Sequence, residues 1–160
     1  MCMEVDLGFR SQYLMPFPWG DLITAKASTG IRNITTYSGC NKMDAIFSRV
    51  LFPVLGLVYK SKTILSWRLR RLSNTHKNPT EEELNARRTY VWGRVENEAG
   101  DAKDGLLETP DGYTFTDISI VEATILFLEG KLDKLSGTLT PSQAFGVSFA
   151  ENLPGVKRVY

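Results

Sequence analysis

The stretch "TFTDISIVEATILFLEGK", residues 114–131, limits what this chain can fold into more than any other. Ile118, Val121, Ile125 and Leu128 recur at three-to-four spacing, the pattern of one helical face. Ile120, Leu126 and Phe127 widen that face, so the spacing predicts a helix buried on two sides. Thr116 is placed to cap its start and Gly130 to end it. Such a helix cannot stand alone in water. The rest of the chain must supply layers to cover it.

The flanking segments read as strands and short helices. Residues 9–18, "FRSQYLMPFP", alternate loosely and end at prolines, as a strand running into a rigid turn does. Asp21 then reads as the N-cap of one or two helical turns over "LITAKAS". "IRNITTYSG" alternates β-branched with polar residues between Gly30 and Gly39 and predicts a strand. Thr80 and Glu83 have capping-box spacing at the start of a short helix. "TYVWGRVEN" and "AKDGLLETPDGY", joined by "NEAGD", predict an antiparallel hairpin with a further Pro-Asp-Gly turn. Thr140 as N-cap with Pro141 at N1 opens a last, two-turn helix ended by Pro154-Gly155. The expected class is α+β, a mixed, largely antiparallel sheet with helices on one face, and 160 residues predict one domain over 1–160. Nothing in this order winds a Rossmann sheet.

Residues 43–72 form an apolar-basic segment. Its uninterrupted apolar core, Val50 to Tyr59, is too short for a membrane span and is broken by Pro53 and Gly56. Two helices are expected, the first ending near Pro53 or Gly56. Beyond it, Lys60, Lys62, Arg68, Arg70 and Arg71 interleave with Ile64, Leu65, Trp67, Leu69 and Leu72. The first reading is an amphipathic helix with its aliphatic side in a core. The second is a helix lying on an anionic membrane surface, with Trp67, Arg68, Arg70 and Arg71 as the contacts. Nucleic acid ranks last, because a net charge of +1 provides no basic excess.

Few residues carry obvious chemistry. His76 is the only histidine and falls in a polar linker, so it reads as a solvated side chain. No phosphate loop of the GxGxxG or GxxxxGK[ST] type occurs, and no metal-ligand cluster is expected. Glu108 and Asp111 flank a turn, where carboxylates are usually solvated or turn-forming. Cys2 and Cys40 make no disulfide framework and read as thiols of a reducing compartment. "MCMEVDLGFR" carries an acidic residue where a signal peptide carries Lys or Arg, so a cytoplasmic protein is expected, peripheral to a membrane if the basic segment docks there.

The segment "FPWGDLITAKASTGIRNITTY" is the densest in special residues. Gly20, Asp21, Thr24, Ser28, Thr29 and Asn33 can line a small-ligand pocket, with Trp19 as a flat wall. Equally, Asp21 caps a helix and Ser28-Thr29-Gly30 turn into a strand. The residues alone favour the second reading.

This segment resembles one found just after the nucleotide-binding half of saccharopine dehydrogenase-like oxidoreductases. "VWGRVENEAGD", "ETPDGYTFT", "LTPSQAFG" and "LPGV" resemble later segments of the same family, in the same order. Residues 43–77 carry the least of the likeness, and Arg32 stands where the family often has Pro. The resemblance implies a two-part enzyme. An N-terminal Rossmann domain binds NAD or NADP, and a C-terminal α+β domain covers the substrate cleft and supplies the dimer contact. This chain corresponds to the second part, so no cofactor is expected on it alone. On this resemblance, residues 19–33 face the cleft, while Thr140, Pro141 and Phe145 pack against the nucleotide-binding half. The resemblance assigns no catalytic acid or base.

Overall fold

The computed structural model describes residues 2–44, 61–73 and 79–160. Three features anticipated from sequence lie outside them: the first helix of the 43–72 segment, the apolar run Val50 to Tyr59, and His76. The described residues are α+β, with helices and two antiparallel three-stranded sheets in place of the single sheet expected. The chain forms two compact units, Met1–Asn78 and Pro79–Tyr160, and each carries one of the sheets.

In the first unit, β1 (Met3–Asp6) and β2 (Ser11–Pro16) form a hairpin. Its turn is held by the Asp6 carboxylate, which accepts from the Gly8 amide at 2.8 Å, and by the Leu7 amide donating to the Arg10 carbonyl. Gly8 has φ +87°, a conformation a side chain would strain. Phe9 and Arg10, expected in a strand, therefore belong to the turn. β3 (Tyr37–Cys40) adds antiparallel to β2, with Tyr13 opposite Cys40 and Pro16 opposite Tyr37. The strand expected over residues 31–39 is thus only its last part. Upstream of Tyr37 the ladder ends with one bond from the Phe17 amide to the Thr36 carbonyl, because Pro16 and Pro18 offer no amide hydrogen. Val5 in β1 and Leu7 in the turn are buried apolar side chains of this unit.

Between β2 and β3 lies α1 (Asp21–Thr29). Its N-cap is Gly20, not Asp21 as expected. Asp21 is the first helical residue, where its carboxylate faces the positive end of the helix dipole without capping it. Gly30, at φ +72°, closes the helix in the left-handed conformation. Further on, α2 (Lys62–Ser73) carries the basic half of the 43–72 segment.

The second unit opens with α3 (Glu81–Ala86), whose capping box forms as its spacing predicts. The Glu83 amide donates to the Thr80 hydroxyl at 3.3 Å, and the Thr80 amide donates to the Glu83 carboxylate at 3.1 Å. β4 (Arg88–Glu96) and β5 (Ala102–Pro110) make the predicted hairpin over nine paired positions. Its turn closes on Asn97, whose side-chain oxygen accepts from the amides of Ala99 and Asp101. β6 (Lys157–Arg158) adds to the other side of β5, giving the order β4-β5-β6.

α4 (Gly112–Leu128) is the long apolar helix. Its cap is Asp111, which accepts from the Tyr113 amide at 3.0 Å, rather than Thr116. The "PDG" expected as a free turn is therefore the strand-to-helix junction. Burial on two sides is also corrected. Ile118 and Leu126 lie half-buried, whereas Ile120, Val121, Ile125 and Leu128 are exposed, Leu128 at 77%. A single three-stranded sheet covers one side of a helix only. α5 (Pro141–Phe145) is a single turn ended by Gly146, not the two-turn helix expected. The buried side chains of this unit are Leu106 in the middle of β5, Thr109 and Pro110 at its end, and Leu153.

Candidate functional site

The first candidate surface surrounds α1. Trp19 and Phe17 pack as a tilted aromatic pair with ring centroids 4.9 Å apart, and both are partly exposed. The Trp19 amide reaches the Thr36 hydroxyl at 3.4 Å, which ties the approach to α1 to the end of β3. Trp19, Gly20, Asp21 and Thr24 lie together at the start of the helix, and all are exposed. Ser28 and Thr29 lie at its other end, about 12 Å along the axis at 1.5 Å per residue. Asn33 is exposed in the coil beyond.

The hydroxyls of α1 are engaged locally. Thr24 donates to the Asp21 carbonyl at 3.2 Å, Ser28 to the Thr24 carbonyl at 2.9 Å and Thr29 to the Ala25 carbonyl at 2.7 Å. Thr29 also accepts from the Ile31 amide. Each of these donations uses the single proton of its hydroxyl, so toward an outside ligand these groups act as acceptors. Ile23, on the same helix, is 79% exposed.

The second candidate is a cavity that sequence reasoning did not find. It is an open hollow of about 440 Å³ where the end of α4, the following turns and α5 meet. Phe127, Leu132, Leu135, Leu139, Pro141 and Phe145 supply its apolar walls, and Ser136 its one hydroxyl. Phe145 stacks on Phe149 at 4.7 Å between ring centroids, which fixes one wall. Thr140 starts α5, its amide donating to the Gln143 side chain at 3.0 Å. So Pro141 and Phe145, marked from sequence, line a concave apolar surface, and Thr140 stands at its margin. The signal available in advance was the spacing of Leu132, Leu135 and Leu139 around Gly137.

The third is α2. Trp67 is 60% exposed, and Ile64 and Leu65 are exposed beside it. The Arg71 guanidinium lies 5.4 Å from the centre of the Trp67 ring. Arg68 and Arg70 belong to the same helix. Among the described residues, no helix is long and apolar enough to cross a membrane.

The two carboxylates marked around the turn from sequence have structural partners. Glu108 faces Arg88 at 3.8 Å, and Asp111 caps α4. Burial first, then the neighbouring Cys2 and Asp44, push the Cys40 thiol up, so it stays protonated at neutral pH and is a poor nucleophile. Among the described residues, no three His, Cys, Asp or Glu side chains are grouped to hold a metal ion. What these surfaces can do is bind: they offer apolar area, aromatic walls and backbone polar groups. The chain matches no known family model, no curated protein and no solved structure.

Proposed function

We propose that this chain is the substrate-covering and dimerising α+β half of an NAD(P)-dependent oxidoreductase of the saccharopine dehydrogenase-like kind. It is catalytically incomplete without a nucleotide-binding half. The ordered likeness of four separate sequence matches motivates the reading. The observation that carries it is α4: the most apolar helix among the described residues leaves Ile120, Val121, Ile125 and Leu128 in water. Exposed apolar surface on this scale marks an interaction face. In this reading the fold is the C-terminal domain type, with one face of the sheet toward α4 and the other partly toward a second subunit. The aromatic surface at Phe17 and Trp19 borders the substrate cleft, and the α5 cavity receives apolar side chains of the nucleotide-binding half.

Fluorescence titration with NADH and NADPH tests the reading. The chain alone takes up neither, whereas the chain joined to a GxGxxG-bearing βαβ half takes up one of them. Stoichiometric uptake by the chain alone overturns it.

A second reading rests on α2, where Trp67, Ile64 and Leu65 are exposed on a basic helix. Here α2 docks on an anionic membrane surface. Flotation with phosphatidylserine vesicles tests it: binding lost on changing Arg68, Arg70 and Arg71 to Glu supports docking, and no binding by the unaltered chain ends it.

A further inference from the structure

We infer that β4 pairs with β4 of a second copy of this chain, antiparallel about a two-fold axis at Trp92, joining two three-stranded sheets into one of six strands. This adds an edge-to-edge contact to the dimer that the proposed function includes, distinct from the face-on contact named there, and it is testable whether or not a nucleotide-binding half exists. β4 is the edge of its sheet, nine residues long and without proline, and β5 is its only strand neighbour among the described residues. A long edge strand presents a row of backbone donors and acceptors that templates a further strand.

Symmetry restricts the register. In an antiparallel pair, hydrogen-bonded and non-bonded positions alternate, so a two-fold axis must set one residue opposite its own copy. With Trp92 on the axis, all nine residues of both strands are engaged. With Arg94 on the axis, two guanidinium groups face each other. With Tyr90 on the axis, Arg94 and Glu96 are left outside the ladder.

The Trp92 register is complementary along its length. Arg88 of each copy stands opposite Glu96 of the other, making two new ion pairs, and Glu96 has no ion pair among the described residues. Arg88 faces Glu108 through Nε at 3.8 Å and donates through Nη1 to the Asn85 and Arg87 carbonyls, and a guanidinium has a further nitrogen, Nη2, for a second carboxylate. Arg94, held by Asp104 and 5.8 Å from the Trp92 ring centre, comes opposite the second copy's Tyr90. On the other face Val91, 54% exposed, comes opposite Gly93, whose missing side chain leaves open space. Val95, 58% exposed, comes opposite Thr89. Aromatic, opposite-charge and β-branched cross-strand pairs are the units that stabilise a sheet.

Sedimentation and cross-linking of the full chain test this, with circular dichroism monitoring the fold of every variant. The unaltered chain sediments as a dimer. E96R weakens the dimer about five- to tenfold by setting Arg against Arg twice, and R88E/E96R restores it. In a C2S/C40S background, W92C links to its own copy on oxidation, because opposed Cα atoms are about 5 Å apart. V91C does not, since the two copies of that position lie beyond disulfide reach. A monomer at the highest soluble concentration overturns the pairing while leaving the nicotinamide titrations to decide the half-enzyme reading. A dimer indifferent to E96R, with no W92C link, overturns it as well, and places the contact elsewhere.

Discussion

Arg94 and Asp104 show how a single pair fastens one end of the β4–β5 hairpin. Two hydrogen bonds of 2.7 and 2.8 Å join the guanidinium to the carboxylate across directly opposed positions. The hydrogen bond, aided by the Arg94 charge, holds the Asp104 carboxyl below its usual range, and the same bond raises Arg94. A carboxylate with a depressed folded-state value contributes stability above the ordinary carboxylate range and loses it as pH falls through the depressed value. Both side chains are largely solvated, so the contribution is small. D104N is expected to lose less melting temperature than the unaltered chain between pH 7 and pH 3, as followed by circular dichroism. Equal losses would show that the pair contributes nothing.

Element boundaries here follow from caps and ladders more than from hydrophobic period. α3 and the hairpin turn at Asn97 were legible in the sequence because their signals are local: a Thr and a Glu three residues apart, an Asn three residues before a Gly-Asp pair. The start of α4 was not, since Asp111 and Thr116 are both competent caps and only the end of β5 at Pro110 decides between them. D111A is expected to destabilise the chain by about 1 kcal/mol in urea unfolding, the usual cost of a lost N-cap. T116A should cost little, because its hydroxyl donates to the Gly112 carbonyl within the helix and caps nothing. The reverse order of effects would return the cap to Thr116. The strand expected from residue 31 failed for a related reason. Its β-branched residues have strand propensity, but β2 ends at Pro16 and offers them no ladder.

At the scale of the molecule, apolar sequence and buried surface part company. Leu106, 1% exposed, sits in the middle of β5, with its amide donating to the Tyr160 carbonyl and its carbonyl accepting from the Val159 amide. Leu128 is 77% exposed on α4. L106A is therefore expected to cost about 2–5 kcal/mol in unfolding measurements, whereas L128A should be near neutral for the chain alone. A large L128A effect would mean that something covers α4 in solution. The candidate residues divide in the same way. Pro141 and Phe145 meet at a cavity whose other walls come from the end of α4 and the turns after it, a juxtaposition that required the chain to fold back. Trp19 and Asp21 remain neighbours simply because they are close in sequence, and Ser28 and Thr29 are carried away from them by one helix. The sequence by itself determined the α+β class, the hairpin with its turn, and the capping box of α3, since each depends on residues within a few positions of one another. Tertiary structure alone decided that the strands form two sheets, where β3 begins, and which side of α4 is covered. Those outcomes depend on which distant backbone groups and apolar surfaces are within reach, and no local spacing encodes that.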